Sequence, residues 1–152
     1  MPVLHLGVVD IPYTQRASSK KTKKVASGTQ TTGDVAEWLE AKYGVMDAFY
    51  NSNKSDISIV LEEAVSVELE NLLMGRPINK NAFGNKVDAV QKLFADFLDT
   101  HQAERVITKG KVPTDAAIRG VNHRMKNNKG TPGRPSFVDT GLYQSSFKAW
   151  VD

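Results

Sequence analysis

The triplet Asp139-Thr140-Gly141 is the one stretch of this sequence whose residue types suggest a reaction. A carboxylate in such a triplet is catalytic when a second carboxylate shares its proton, so that one group is the acid and the other the base. A chain with a single triplet would need a symmetric dimer in which each subunit supplies one carboxylate. The catalytic hypothesis therefore requires two copies of Asp139 within hydrogen-bond range.

Together with Phe137-Val138, the triplet resembles the active-site strand of an aspartic protease. That fold needs several strands after the triplet to build its cleft, and here eleven residues follow Gly141. Leu142 and Tyr143 are also bulky where that motif usually continues with a small residue. We therefore interpret the triplet as architectural and expect no enzymatic activity.

An architectural role for Asp139 is the N-cap of a short helix, with Val138 and Tyr143 as a hydrophobic staple across its start. The residues after that helix alternate in character, which predicts a terminal strand with Phe147, Ala149 and Val151 on one side and Lys148, Trp150 and Asp152 on the other. That strand would lie at a sheet edge, where an unpaired ladder can join a neighbouring subunit.

Other catalytic and metal-binding arrangements find no support in the sequence. The chain contains no cysteine, which excludes disulfides, thiol nucleophiles and cysteine-ligated metals. His5, His101 and His123 have no ligand spacing, and each is interpreted as a satisfied or exposed imidazole. No serine lies in a nucleophile elbow, and Lys129-Gly130-Thr131 lacks the glycine spacing of a phosphate loop. We expect no metal and no cofactor.

Basic residues are concentrated in two windows that contain no acid, although the net charge is only +3. Residues 14–33 contain Arg16, Lys20, Lys21, Lys23 and Lys24, and residues 116–138 contain Arg119, Arg124, Lys126, Lys129 and Arg134. Such windows can bind phosphates of a nucleic acid or an acidic protein surface, or can simply be solvated loops. The Lys20 to Lys24 run has no interleaved aromatic residue for base stacking, which weakens the nucleic-acid interpretation.

Length and composition predict one globular domain over residues 1–152, because 152 residues with 40% hydrophobic content can bury a single core. The N-terminus has no basic leader, and no run of about 18 apolar residues occurs. We expect a soluble protein without a membrane segment, and the absence of cysteine fits synthesis in a reducing cytoplasm.

The elements predicted upstream of the triplet are a strand, three main helices and a short fourth one. The strand covers residues 3–11; the helices run from Thr32-Gly33-Asp34 to about Tyr50, from Asp56 to Leu73 and from about Asn85 to Ala103. Asn51-Ser52-Asn53 is the predicted break between the first two. The second helix is apolar over more than half its circumference, which predicts that it is the most buried.

Shorter features complete the prediction. Residues 106–108 are a possible strand, Thr114-Asp115 caps a short helix, and residues 122–135 form a basic loop. The aromatic residues at core spacing are Trp38, Tyr43, Phe49, Phe94 and Phe97. The predicted fold class is α+β, with three main helices packed on a small, mostly antiparallel sheet.

Residues 14–33 are rich in Ser, Thr, Lys and Gln, with Val25 almost the only bulky apolar side chain. Such a segment cannot order itself by burying apolar surface. We expect an extended basic arm that contacts a neighbouring subunit.

The ending of the chain, residues 134–152, resembles the endings of small virion proteins of tailed bacteriophages, the neck and tail-completion proteins. The residues that carry the likeness are Pro135, Phe137, Asp139, Thr140, Gly141, Leu142, Tyr143 and Trp150. The opening Leu4 to Tyr13 and the stretch Thr31 to Met46 also resemble members of that group. The likeness thus covers both ends and the first helix.

This resemblance implies a non-enzymatic subunit of a homo-oligomeric ring in the virion neck, between capsid and tail. It would bridge the portal or its adaptor to the tail, with packaged DNA passing through the ring. Ring number, and the choice between adaptor, stopper, neck and tail terminator, stay open. The alternative is a small nucleic-acid-binding protein that uses the basic segments.

Overall fold

The structure is a computed structural model, and it describes residues 3–13, 30–77, 82–120, 132–138 and 140–151. Its elements, in chain order, are β1 (Leu4–Val8), α1 (Thr32–Tyr43), α2 (Val45–Leu73), α3 (Ala82–Asp99), α4 (Gln102–Val106), α5 (Asp115–Arg119), α6 (Leu142–Ser146) and β2 (Phe147–Val151). The protein is mainly helical with a small antiparallel sheet, which agrees with the predicted α+β class.

The first and last elements form the sheet of the described residues. β1 pairs with β2 antiparallel, with Leu6 opposite Ala149 and Val8 opposite Phe147. Phe147 and Ala149 are buried, and Leu4, Leu6 and Val8 pack partly buried against the core. Lys148 and Trp150 face outward. The period-2 pattern read from both ends of the sequence is therefore confirmed, because one face of the sheet covers the core.

The first helix begins at Thr32, where its sequence signal starts, but its cap lies one residue before that signal. Thr31 is the N-cap: its hydroxyl accepts from the Asp34 amide, and the Asp34 carboxylate accepts from the Thr31 amide. This reciprocal pair is a capping box. The helix then ends at Gly44, whose φ of +64° is a left-handed conformation that favours glycine.

The predicted helix to Tyr50 with a break at residues 51–53 is wrong, because the break lies at Gly44 and α2 runs without interruption from Val45. Both asparagines that suggested a break are accommodated within the helix. The Asn53 amide donates to the Phe49 carbonyl at 3.0 Å, and the Asn51 amide donates to Asp47 at 3.1 Å. Their side chains bond one turn back and therefore do not compete with the helix.

The core lies where α2, α3 and β2 meet. Phe49 contacts Phe94, Phe97 and Phe147 edge to face at 5.1, 5.5 and 5.8 Å between ring centroids. Phe94 stacks on Phe147 at 4.1 Å. The predicted core roles of Tyr43, Phe49, Phe94 and Phe97 are confirmed by their burial. Trp38 is the exception, at 54% exposure, because it lies on the outer side of α1.

The prediction that the second helix is the most buried is wrong for its distal part. The buried residues of α2 are Val45, Phe49, Asn53, Ile57 and Ala64, so burial ends nine residues before the helix does. We call residues 65–74 the distal segment. Its large apolar side chains are at least half exposed, because no described element packs beside them.

The third helix and the stretch after it also differ from the prediction. α3 ends at Asp99 instead of Ala103, because His101 adopts a left-handed φ of +60° and a new short helix, α4, starts at Gln102. The proposed strand at 106–108 is absent: Val106 ends α4, and Ile107 is its extended C-cap. The Thr114 cap is confirmed, since its hydroxyl accepts from the Ala117 amide.

Candidate functional site

The predicted binding residues divide into two groups. Most basic residues fall outside the described residues: Arg16, Lys20, Lys21, Lys23, Lys24, Arg124 and Lys126. The two described basic residues, Arg119 and Arg134, lie in different environments. Arg119 is exposed on α5, whereas Arg134 is half-buried and its guanidinium donates to the Val138 carbonyl within the same segment. Arg134 therefore stabilises the conformation of the C-terminal segment, by which we mean residues 132–138 and 140–151.

The start of the C-terminal segment is anchored by Ser136, which is 1% exposed. Its amide donates to Glu104 Oε1 at 2.8 Å, and its hydroxyl accepts from the Thr114 amide at 3.1 Å. His101 Nδ1 lies 3.0 Å from Glu104 Oε2. One side chain thus joins α4, the start of α5 and the C-terminal segment, a junction that the sequence did not indicate because its members are 22 and 32 residues apart.

The electrostatics of this junction centre on Glu104. Partial burial acts to raise the pKa of the Glu104 carboxyl, but hydrogen bonds from His101 and Ser136 outweigh it, and the pKa is lowered overall. Glu104 is therefore an ionised acceptor, and it holds the backbone amide of Ser136, next to Pro135, in place.

Phe137 follows in an unusual conformation for a bulky residue, with φ of +69°. Its ring meets Tyr43 edge to face at 5.1 Å, and the same Tyr43 ring lies against Gly110. A Cβ at Gly110 would stand 2.8 Å from Tyr43 Cδ1, so glycine is needed for this approach. The contact holds the strained residue in place and joins the C-terminal segment to α1.

The predicted N-cap role of Asp139 is wrong, since α6 begins at Leu142 with Gly141 at the cap position and no side-chain cap. Gly141 supplies the turn with a φ of +75°, and the Thr140 hydroxyl accepts from the Leu142 amide at 3.4 Å. Val138 and Tyr143 are consequently not at staple positions. Asp139 itself lies outside the described residues, and the expectation that the triplet has no catalytic role stays a prediction.

Tyr143 is buried against Phe94 at 6.0 Å between ring centroids. Burial, with smaller effects of Glu40 and Tyr13, raises the pKa of its hydroxyl. Among the described residues the hydroxyl has no hydrogen-bond partner. A phenol with a raised pKa stays protonated at neutral pH and is no nucleophile, so Tyr143 acts by packing.

The end of the segment is tied to the beginning of the chain. Trp150 stacks on His5 at 5.2 Å and covers Gly7, where a Cβ would stand 3.3 Å from the indole. Val9 donates its amide to the Ser146 carbonyl at 2.7 Å. Trp150 is nevertheless 49% exposed, so its outer face is a surface feature.

Thr32 joins the opening stretch to the first helix. Although polar, it has no exposed surface; its hydroxyl donates to the Val9 carbonyl at 2.6 Å and accepts from the Ile11 amide at 2.8 Å. Asp10 accepts from the Gly33 amide at 2.9 Å. Hydrogen bonds from Thr31 and Gly33 lower the pKa of Asp10.

Two features of the described residues bear on metal binding and on small-molecule binding. The described residues contain no group of three or more His, Asp or Glu side chains that could hold a metal. An open groove of about 400 Å³ between α2 and α3 has Ile59, Val60 and Leu93 beside Asp56, Lys92 and Asp96. In the part of the chain described here, no helix is both long and apolar enough to span a membrane.

No family model, no curated protein sequence and no solved structure matches the chain.

Proposed function

We propose that this protein is a structural subunit of the head-to-tail ring of a tailed bacteriophage, a virion neck protein that bridges portal or adaptor and tail. The observation that carries the proposal is the convergence of the three stretches that resemble neck and tail-completion proteins. Residues 4–13, 31–46 and 134–151 are far apart in sequence, yet they form one continuous unit.

Each pair of these stretches is directly joined. β1 pairs with β2 over five residues. The side chain of Thr32 bonds to the backbone of Val9 and Ile11, and Tyr43 meets Phe137. The stretches that carry the likeness therefore belong to one structural unit.

Exposed apolar surface supports association with other proteins. Large apolar side chains are about half exposed at Trp38, at Trp150 and along the distal segment. The exposed apolar side chains of the distal segment follow one another along one helix, and apolar side chains that are exposed together can form an interaction site. A ring subunit needs such surfaces for its neighbours and for the rings above and below it.

The proposal extends to the basic arm and to the finer architecture of three main helices on the sheet. Residues 14–29 of the predicted arm lie outside the described residues, whereas Thr32 and Gly33 at its end belong to α1. By composition, the stretch suits an arm that gains order from a neighbouring subunit. The bridge between Pro12 and Thr31 holds the described residues on either side of it together at the start of α1.

Negative-stain imaging of the purified 152-residue chain over a concentration series tests this function. Rings with a central hole are the expected result. Particles that remain monomeric at every concentration, and also in the presence of purified portal and tail proteins, would contradict it.

A specific observation also favours the second candidate, a nucleic-acid-binding protein. Lys42 Nζ lies 4.6 Å above the exposed Trp38 ring, an arrangement that can stack a base and neutralise a phosphate. If this candidate is right, monomer binds single-stranded DNA with a steep salt dependence, and Trp38→Ala weakens it by about 1–3 kcal/mol. The candidate is rejected if only ring assemblies bind DNA, or if Trp38→Ala leaves the binding unchanged.

A further inference from the structure

We infer that the free edge of β1 pairs with β1 of a second copy of this chain, antiparallel and centred on Leu6, so that two small sheets join into one. The contact goes beyond the proposed ring function, because a two-fold contact joins two copies and cannot by itself close a larger ring. The juxtaposition that carries the inference is an unprotected strand edge with an exposed valine at each end, Val3 and Val9.

The backbone of β1 has hydrogen-bonding groups on the side that faces away from β2. The Val9 amide donates to the Ser146 carbonyl at 2.7 Å, which continues the register of the two strands by one residue. Alternate residues of an antiparallel strand bond to the same neighbour. The amides and carbonyls of Leu4, Leu6 and Val8 therefore point the other way. In the part of the chain that the structure describes, the sheet has two strands, and no third strand takes up these groups.

Of the two edges of the sheet, that of β1 is the accessible one. Phe147 and Ala149 of β2 are only 2% and 6% exposed as whole residues, so their backbone groups are covered along with their side chains. The inward-facing residues of β1, by contrast, are only partly buried: Leu4, Leu6 and Val8. The sequence had suggested the terminal strand as the edge that joins a neighbour, whereas the structure leaves β1 open.

This edge has none of the devices that keep strand edges from pairing, which are charged side chains, proline and bulges. Residues 3–9 contain no Lys, Arg, Asp, Glu or Pro. The register with β2 is continuous from Leu4 to Val8, so the strand has no bulge. A two-fold contact places a patch against itself. Because this patch is uncharged and apolar, a second copy meets no like-charge repulsion there and is the occupant that fits it.

The alternation of the strand sets the register of the contact. When Leu6 lies opposite Leu6 of the second copy, Leu4 lies opposite Val8, and all three outward-pointing residues are paired. A shift of one residue would move the core-facing side chains to the outer face. A shift of two would leave one of the three unpaired. In this register Val3 and Val9, at 51% and 46% exposure, become direct cross-strand neighbours on the outer face.

The size of the contact predicts weak, concentration-dependent association. Three pairs that each exchange two bonds give about six backbone hydrogen bonds between the copies. An edge of seven residues is about 24 Å long, and a sheet with its side chains is about 10 Å thick, which gives roughly 240 Å² per partner. A standard interface buries about 800 Å² per partner. We therefore expect a dimer with a dissociation constant above about 1 μM.

Amide hydrogen exchange, followed by NMR over a concentration series of the full chain, reads the contact residue by residue. The Val9 amide is bonded to Ser146 and should be protected at every concentration. The amides of Leu4, Leu6 and Val8 should exchange freely in the monomer. Their exchange should slow by about tenfold once about nine tenths of the chain is dimeric. Protection that appears at alternate residues is specific to pairing at a strand edge.

Paired charge substitutions test the orientation. Val3→Lys with Val9→Lys places like charges opposite each other at both ends of the contact, and should raise the dissociation constant about tenfold. Val3→Lys with Val9→Glu places opposite charges there and should restore the dimer. In a parallel pairing the second variant would bring like charges together, so its rescue is specific to the antiparallel register.

Ile59→Lys with Ile118→Lys is the matched control, because these side chains are similarly exposed, at 51% and 49%, and lie on α2 and α5. This variant should dimerise like wild type. Sedimentation equilibrium measures the dissociation constants, and circular dichroism checks that each variant is folded.

The outcomes separate this inference from the ring function. Rings formed by wild type whose β1 amides still exchange freely would overturn the inference and leave the ring function standing. Dimers with protected amides, but no rings under any condition, would support the inference and count against the ring.

Three further results would overturn the inferred contact. One is wild type that stays monomeric up to about 1 mM. Another is protection of the β1 amides that does not change with concentration, because a segment of the same chain would then cover the edge. The third is failure of Val3→Lys with Val9→Glu to restore the dimer that Val3→Lys with Val9→Lys weakens.

Discussion

The C-terminal segment has little regular secondary structure but many tertiary contacts, whereas the distal segment of α2 is helical but lacks buried residues. Residues 132–151 contain one helical turn and five strand residues, yet they are fixed through Ser136, Phe137 and Phe147. The distal segment is unbroken helix and has no buried residue. Regular backbone hydrogen bonding does not show that a segment is part of the core, and irregular backbone does not show that it is loose.

The largest expected effect is in the C-terminal segment. Phe147→Ala should lower the free energy of unfolding by about 3–5 kcal/mol, because it leaves a cavity beside Phe94 and Phe49. Urea denaturation followed by circular dichroism measures this change. A loss below about 1 kcal/mol would show that the segment is not an integral part of the core.

An intermediate effect is expected at the anchor of that segment. Glu104→Gln should cost about 1.5–3 kcal/mol at neutral pH, because hydrogen bonds to a charged acceptor from His101 and Ser136 are weakened. Since the folded-state pKa of Glu104 lies below its ordinary value of 4.5, its contribution is present above that value and is lost as the pH falls through the folded-state pKa.

The stability difference between wild type and Glu104→Gln should therefore shrink in denaturation series taken at progressively lower pH. Glu62→Gln, an exposed change at the edge of the distal segment, is the control and should leave stability nearly unchanged. A difference that is constant down to about pH 3 would show that the carboxylate charge plays no part in the anchor.

The smallest effect is expected in the distal segment. Leu69→Ala removes as much apolar side chain as many core substitutions. The monomer should nevertheless change by no more than about 0.5 kcal/mol, since alanine is an excellent helix former and Leu69 is 54% exposed, so that little packing is lost. Measured on monomer at low concentration, a cost above about 2 kcal/mol would mean that this side chain is buried after all.

Local patterns in the sequence predicted local structure well. The alternation at both chain ends gave the two strands, and Thr114 gave the start of α5. These features depend on residues close together in the chain. The helix break was misplaced because Asn51 and Asn53 are turn formers only when their side chains have no better partner, and here each bonds one helical turn back.

Burial was harder to predict, because it depends on where the neighbouring elements end. Trp38 and Leu69 have the spacing of core residues but are half exposed, since no described element covers them. The Ser136 junction could not be predicted either. Its members, Ser136, Glu104 and Thr114, are common polar residues that lie far apart in the sequence, and only the folded structure brings them together.

The two tryptophans of the chain, Trp38 and Trp150, are both half exposed, while the core is built around phenylalanine. Their fluorescence therefore reports on the surface at two separate places, one beside Lys42 and one stacked on His5. Assembly that covers the outer face of the sheet would shift the emission of Trp150 to shorter wavelength. Assembly through the distal segment, which has no tryptophan, would leave that emission unchanged.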